Sequence, residues 1–268
     1  MLPDVVRLDP ELARGWSDEE VMARWNRLFS LPVLVTRYRA GKTATAAERA
    51  QARAMIAEWR ERLADLSWFM RSLNEYLARR ANEEDGCKGR FWEGRFKSQA
   101  LLDEAAILTC MSYVDLNPVR AGLADTPEES EFTSIRQRIA ELSASSNDPP
   151  KIEPEPERPR LMALETPAQD RHPNRFSFST EDYLELVDWA GRAIREDKRG
   201  AIPGDLPPVL TRLGLNPEHY LRLVRRGGRS HHVAALGHVE RLREAAARLG
   251  RRFLKGMDQS RRLYQVHG

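Results

Sequence analysis

The segment from residue 105 to residue 123 constrains the fold most, because it predicts a helix with a fixed end. Its apolar and small residues recur at the i, i+3, i+4, i+7 spacing that places one helix face on a core. The members of this predicted stripe are Ala106, Ile107, Cys110, Met111 and Val114. Pro118 lacks a backbone N–H and disfavours helical geometry at the residue before it. The helix is therefore expected to end near Asn117.

Polar residues of the same segment are expected on a second face. Thr109, Tyr113, Asn117 and Arg120 follow one another at intervals of three or four residues, so they are neighbours on a helix surface. A phenol, an amide and a guanidinium on one face suit phosphodiester chemistry. The spacing leaves two interpretations of Tyr113 open. It is a nucleophile that attacks a DNA phosphate, or a half-buried tyrosine with its ring in the core and its hydroxyl in water.

The residues at the two ends of this helix predict how it starts and stops. Asp103 is the natural N-cap, because its short side chain can accept hydrogen bonds from the first unpaired backbone N–H groups. Asn117 is expected to end the helix and to cap a short turn that Gly122 closes. A structural cap and a site residue are compatible roles, and the sequence leaves both open for Asn117.

The remaining pattern predicts a mainly helical chain. Capping boxes at residues 17–20 and 45–48 open two helices, and a further helix is expected over residues 67–82. The expected core stripe of that helix is Leu66, Phe69, Met70, Leu73 and Leu77. Residues 90–101 alternate between polar and apolar side chains, which indicates an extended strand, the best strand candidate in the chain.

Composition divides the chain into three parts. Residues 143–171 are rich in proline, serine and acidic side chains, cannot bury a core and are interpreted as a linker. The linker separates an expected domain at residues 1–142 from an expected helical, basic extension at residues 172–268. The formal net charge of the whole chain is only +3, but about 12 lysines and arginines stand against 3 acidic residues from Leu221 onward.

This basic extension is a candidate for contact with phosphates. The residues expected to bind DNA there are Arg225, Arg226, Arg229, Arg251, Arg252 and Lys255. Phe253 and Tyr264 lie among them and are expected to stack on unpaired bases. The alternative is a solvated basic helix face with no ligand.

The cysteines and the hydropathy pattern favour a cytoplasmic protein. Cys87 and Cys110 lie far apart and lack the spacing of zinc ligands, as in a reducing compartment. No apolar run approaches 18 residues, and the first residues do not form a signal peptide. No membrane partner is therefore expected. Charged residues make up 31% of the chain and hydrophobic residues 41%, which is typical of a soluble protein with a core.

Three motifs resemble a known family. They are residues 68–74 (WFMRSLN), residues 89–98 (GRFWEGRFKS) and residues 113–122 (YVDLNPVRAG). In this order and spacing they resemble the second half of a single-tyrosine transposase of the HUH superfamily, of the REP-associated tyrosine transposase type. The resemblance extends from about residue 16 to residue 139. It continues over residues 176–264, which are similar to the carboxy-terminal extension of longer members.

The resemblance implies a fold and a set of roles. Tyr113 would be the nucleophile that forms a 5′-phosphotyrosine bond with single-stranded DNA, and Asn117 would lie beside a divalent metal, Mg²⁺ or Mn²⁺. Arg90, Arg95 and Lys97 would bind DNA from a strand that flanks the site, with Arg120 as a further DNA contact. The fold would be a ferredoxin-like α+β sheet carrying the tyrosine helix. The resemblance further implies a bacterial, nucleoid-associated protein that acts in the DNA transposition of insertion sequences. Family members often work as dimers, so a homodimer is one expected partner state.

The chain departs from the family at its beginning. The superfamily takes its name from a His-hydrophobic-His strand that supplies two imidazole ligands, whereas the first histidine here is His172. We therefore expect a truncated member, or one with a misassigned start. It would be mainly α, with few strands left, an incomplete metal site and no metal ligands of its own. We expect this chain alone to be incomplete for strand cleavage. The alternatives are a catalytically inactive or domesticated protein that binds hairpin or single-stranded DNA, and a helical interaction protein without a DNA role.

Overall fold

The computed structural model describes residues 10–145, 161, 164, 176–194, 205–226 and 234–264. Helices dominate these ranges, as the sequence predicts, and none of them is both long and apolar enough to cross a bilayer. The chain divides into two compact units, an N-terminal unit up to Lys97 and a C-terminal unit that begins at Ser98. Most of the expected linker, residues 143–171, lies outside the described residues.

The N-terminal unit consists of helices joined by short turns. They are α1 (Pro10–Arg14), α2 (Asp18–Asn26), α3 (Val33–Arg39), α4 (Ala46–Leu63) and α5 (Leu66–Glu84). Ser17 caps α2 through a hydrogen bond from the Glu20 N–H to its Oγ at 3.2 Å. Thr45 and Glu48 form the reciprocal capping box predicted for α4. These caps satisfy backbone N–H groups that have no partner within the helix.

Two stacked indoles form the centre of the N-terminal core. The Trp25 and Trp59 rings lie 4.9 Å apart and are inclined by only 5°. The other buried members of this core are Val21, Met22, Val35, Ala52 and Ile56. Helix α5 adds no fully buried residue, and Phe69 is 41% exposed. The core stripe predicted for that helix is therefore wrong, because α2, α3 and α4 supply the buried surface.

The strand predicted over residues 90–101 is also wrong for most of its length. Residues 87–99 have no regular structure, and Trp92 is held by a hydrogen bond from its Nε1 to the Asn74 carbonyl at 2.9 Å. The C-terminal unit keeps only β1 (Ala100–Leu101) of this stretch. It pairs in parallel with β2 (Ala235–Leu236), so that Ala100 faces Ala235. These two strands form the whole sheet found among the described residues.

The C-terminal unit surrounds the helix that carries Tyr113. Its helices are α6 (Glu104–Asp115), α7 (Asn117–Arg120), α8 (Ser134–Ser145), α9 (Thr180–Ile194), α10 (Pro208–Arg212), α11 (Pro217–Arg226), α12 (Val239–Arg248) and α13 (Met257–Leu263). Helix α6 packs against α9 and α11. Leu108, Trp189 and Tyr220 are buried in one cluster with Leu164, which lies in the expected linker. Residues on both sides of that linker thus share a core, and the compact units do not follow the expected limits at 142 and 171.

Candidate functional site

Tyr113, Asn117 and Arg120 lie together at the carboxyl end of α6, as the helical spacing predicts. The guanidinium carbon of Arg120 is 4.0 Å from the centroid of the Tyr113 ring, a cation–π contact. Its Nη2 donates to Asn117 Oδ1 at 2.6 Å and approaches the Tyr113 carbonyl at 3.4 Å. Arg120 Nη1 also lies 3.5 Å from the Arg225 carbonyl on α11. The guanidinium therefore joins the tyrosine helix, α7 and α11.

Two local features of the chain set this geometry, the N-cap of α6 at Asp103 and the helix break at Pro118. The Ala106 N–H donates to Asp103 Oδ1 at 2.9 Å, which confirms Asp103 as the N-cap of α6. Helix α6 ends at Asp115 with Leu116 as its C-cap, and α7 starts at Asn117 with proline in its first turn. The Asn117 side chain accepts from Arg120 and makes no capping bond to the backbone. The break at Pro118 thus holds Asn117 within reach of the guanidinium.

The buried face of α6 differs from the predicted stripe. Of the five residues expected there, only Ala106 is buried, and the others are half-buried. The face that enters the core is polar in part, since its members are Ala105, Ala106, Leu108, Thr109, Ser112 and Asp115. Thr109 donates to the Ala105 carbonyl at 2.7 Å and does not join Tyr113 at the surface. Short hydroxyl side chains can enter a core when they bond to their own helix in this way.

Asp115 is the buried polar residue that sequence reasoning missed. It is 1% exposed and accepts hydrogen bonds from the Ser134 N–H at 3.0 Å and from the Tyr183 hydroxyl at 2.6 Å. Ser134 Oγ adds a bond at 2.8 Å. Residues two apart on a helix point to nearly opposite sides. The carboxylate that ties α6 to α8 and α9 therefore lies across the helix from the Tyr113 ring.

Burial shifts the proton equilibria of this cluster. It raises the pKa of the Asp115 carboxyl above its usual value, while the hydrogen bonds from Tyr183 and Ser134 act in the opposite direction. Burial, with the neighbouring Asp115 charge, holds the pKa of the Tyr183 hydroxyl well above its usual value. The pKa of Arg138 is lowered by burial and raised in part by Tyr183 and Asp115. Tyr183 therefore remains a hydrogen-bond donor to Asp115 throughout the physiological pH range.

Tyr264 is buried, contrary to the role in base stacking predicted for it. It was expected to stack on bases, but it is only 7% exposed, and its hydroxyl donates to Asp103 Oδ1 at 2.6 Å. The other oxygen of Asp103 accepts from the His238 N–H at 2.5 Å. The Asp103 carboxylate therefore caps α6 and also bonds to His238, just before α12, and to Tyr264, just after α13.

The described residues around Tyr113 do not fit a divalent metal. Mg²⁺ and Mn²⁺ prefer several oxygen ligands, carboxylates above all. Asn117 Oδ1 already accepts from a cationic guanidinium, and Asp115 faces the core. No group of three His, Cys, Asp or Glu side chains with metal-binding geometry occurs within the described part of the chain. We therefore assign no metal-dependent step to these residues.

The other residues expected to bind DNA are distributed over both units. Arg90, Arg95 and Lys97 are exposed in the irregular end of the N-terminal unit. Arg225 donates to the Ala193 carbonyl at the end of α9, so part of its bonding capacity is used within the fold. The Arg226 side chain and Arg229 lie outside the described residues. The remaining three, which are Arg251, Arg252 and Lys255, are exposed together between α12 and α13.

Arg120→Met is expected to lower the free energy of unfolding of the C-terminal unit by about 1–2 kcal/mol. Methionine keeps an apolar cover on the Tyr113 ring but loses the bonds to Asn117 and to the two carbonyls. The loss is modest because Arg120 Nε is already buried without a hydrogen-bond partner among the described residues. Urea denaturation measures the change. Arg136→Met is the matched control, because the bond described for Arg136 is an ion pair to Glu131 at 3.7 Å. Equal losses in both variants would contradict a specific stabilising role of the Arg120 hydrogen bonds.

The site thus combines a phenol, an amide and a guanidinium at a helix break, held from the opposite side by a buried carboxylate. The Tyr113 side chain is half-buried, and its hydroxyl has no hydrogen-bond partner among the described residues. No family model, curated protein or solved structure matches this chain significantly.

Proposed function

We propose that this chain is a DNA-binding protein of the REP-associated tyrosine transposase type, related to enzymes that cleave and join single-stranded DNA through a 5′-phosphotyrosine intermediate. The observation that carries the proposal is the cluster of Tyr113, Asn117 and Arg120, which lies within the third of the three motifs. On this proposal residues 16–139 are the helical remainder of a ferredoxin-like domain. The basic segment near the carboxyl end provides further contact with phosphates.

The geometry supports a nucleophilic role for Tyr113. Arg120 covers one face of the ring and fixes its orientation, which leaves the hydroxyl as the reactive edge. In the proposed step the phenolic oxygen bonds to phosphorus while the bond from phosphorus to the 3′ oxygen breaks. The phenolic proton passes to solvent, and the departing 3′ oxygen takes up a proton. The 5′ end of the DNA then remains on Tyr113.

A second function, DNA binding without cleavage, is favoured by the same cluster. Asn117 Oδ1, the oxygen that the family resemblance directs to a metal, is occupied by Arg120 at 2.6 Å. A phosphoryl transfer without a cation to stabilise the developing charge would depend on the guanidinium alone. The two functions share DNA as ligand and differ only in whether a covalent intermediate forms.

A covalent-adduct assay separates these functions. The protein is incubated with hairpin-bearing single-stranded oligonucleotides of random flanking sequence, with Mg²⁺ or Mn²⁺, and resolved by denaturing electrophoresis. A 5′-phosphotyrosine linkage retains the 3′ portion of the strand, so a 3′ label is expected in the adduct and a 5′ label is not. Tyr113→Phe should abolish the adduct. Tyr76→Phe is the matched control, since Tyr76 is 60% exposed on α5.

Each result of this assay decides between the functions. A 3′-labelled adduct that disappears only in Tyr113→Phe supports strand transfer. Binding that weakens steeply between low and moderate salt, without an adduct, supports the non-cleaving DNA-binding protein. If the protein neither forms an adduct nor binds any of these DNAs at low salt, the proposal is wrong.

A further inference from the structure

The connection between α12 and α13 exposes three cationic side chains and one aromatic ring that are close together in sequence. We call residues 249–255 the basic corner. Arg251, Arg252 and Lys255 are exposed, and none has an ion-pair partner among the described residues. Phe253 lies between them in sequence and is 69% exposed. A single exposed apolar residue is ordinary, but unneutralised cations on both sides of a phenyl ring form a specific combination.

The backbone of the basic corner is fixed at its start. The Arg251 N–H donates to the Ala246 carbonyl at 2.8 Å and the Gly250 N–H to the Ala247 carbonyl at 3.0 Å. This is the Schellman arrangement, which requires a left-handed residue at Gly250, where φ is +63°. Helix α12 therefore ends at a defined point, and the direction in which the chain leaves it is set.

The far end is fixed by burial. Leu254 is 3% exposed and packs in a cluster with Ala235, Leu242 and Ala246. Its neighbour Phe253 is 69% exposed. The buried Leu254 therefore anchors the chain directly beside a ring that lies in solvent.

The positive charges of Arg251, Arg252 and Lys255 are not neutralised by acidic side chains among the described residues. Arg241 and Arg261, on the flanking helices, are paired with Glu244 and Asp258 at 3.3 Å and 3.1 Å. The cations of the basic corner have no such partners in the described part of the chain. A ligand with negative charge and a flat apolar face would therefore meet complementary groups at this place.

We propose that the basic corner binds unpaired nucleotides, with Phe253 stacked on a base and Arg251, Arg252 and Lys255 on the adjoining phosphates. Aromatic rings stack on every base, and a basic surface follows the backbone, so this combination selects single strands over duplexes. The inference rests on the proposed DNA-binding function and adds a site that is separate from Tyr113. Asp103 connects the helix that carries Tyr113 with the segment that contains the basic corner. It caps α6 and accepts a hydrogen bond from the His238 N–H just before α12.

An anionic lipid surface is a weaker fit to the same residues. Membrane binding by an exposed segment requires a broad apolar face or a second anchor. The basic corner exposes only two large apolar side chains in its described residues, Leu249 and Phe253. Base stacking requires a single ring, which the basic corner provides.

The test compares a single strand with bases, a single strand without bases and a duplex. Fluorescence anisotropy measures the affinity of the full chain for a labelled oligothymidine, for an abasic strand of equal length and for a duplex. Phe253→Ala should weaken binding to oligothymidine by about 5- to 100-fold and leave the abasic strand unchanged. Phe253→Tyr should restore binding, because it restores the stacking ring. Tyr76→Ala, an exposed aromatic on α5, is the matched control, and circular dichroism confirms that each variant is folded.

The outcomes distinguish this inference from the proposed function. If the unmodified protein binds none of these nucleic acids at low salt, both fail. If it binds oligothymidine and Phe253→Ala binds equally well, only the role of the basic corner fails. Vesicles containing anionic phospholipid provide the last comparison. If Phe253→Ala loses binding to them but not to oligothymidine, the basic corner recognises lipid and the inference is overturned.

Discussion

Asp115→Ala is expected to lower the free energy of unfolding of the C-terminal unit by about 3–5 kcal/mol. Alanine leaves the buried Tyr183 hydroxyl and the part-buried hydroxyl and N–H of Ser134 without their acceptor. Each buried donor that loses its partner costs about 1–3 kcal/mol. Urea denaturation followed by far-ultraviolet circular dichroism measures the loss. Asp115→Asn, which keeps one acceptor oxygen and the same volume, should lose clearly less.

The pH dependence of the free energy of unfolding, compared between wild type and Asp115→Asn, provides an independent check. Burial raises the pKa of Asp115 in the folded state above its unfolded value, so the folded protein binds the proton more tightly. Stability from this group is present below the ordinary aspartate pKa of about 4 and is lost as the pH rises through the raised folded value. Asparagine does not titrate. The stability of Asp115→Asn relative to wild type should therefore increase with pH above about 4; a constant or falling difference would contradict the burial effect.

The part of the site that depends on local helix geometry could be predicted from the sequence. Tyr113, Asn117 and Arg120 are neighbours because a helix repeats every 3.6 residues, and Asp103 caps because a short carboxylate before a helix does so. Only local backbone geometry enters these predictions. The break at Pro118 is equally local, since the missing N–H acts on its own turn.

The buried side of the same helix could not be predicted, because its partners are distant in sequence. Aspartate is rarely buried, so Asp115 has no signal of its own. Its burial depends on Tyr183, which lies 68 positions later on α9. Tyr264 was misplaced for the same reason, since its hydroxyl bonds to Asp103, 161 positions earlier. A pattern of polar and apolar residues cannot specify which polar residues find such partners.

The predicted strand failed for a related reason. Alternating side chains over residues 90–101 are necessary for a strand, but a strand also needs a neighbour that pairs along its length. Among the described residues the neighbour is β2, which offers only Ala235 and Leu236. Only Ala100 and Leu101 of the alternating stretch therefore pair with another strand.

Trp189→Ala is expected to lower the free energy of unfolding of the C-terminal unit by about 3–5 kcal/mol. The indole is 1% exposed on α9, and its ring centroid lies 6.3 Å from that of Tyr220 on α11. Removing it leaves a cavity where α9 and α11 meet, and both helices pack on α6. The substitution is therefore expected to destabilise α6, the helix that carries Tyr113, as well as α9 and α11.

Hydrogen exchange at the amides of α6 decides whether residues 98–142 share one core with α9. If they do, Trp189→Ala should reduce the protection of the α6 amides by the same free energy that denaturation records. If residues 1–142 formed a domain of their own, as the composition alone suggests, α6 would keep its protection while α9 lost it. Trp68→Ala, a half-buried tryptophan on α5 in the N-terminal unit, is the matched control. Leu108 and Leu116 are buried in one cluster with residues of α9. This favours the first result, because a helix cannot stay protected once the surface that excludes water from it has opened.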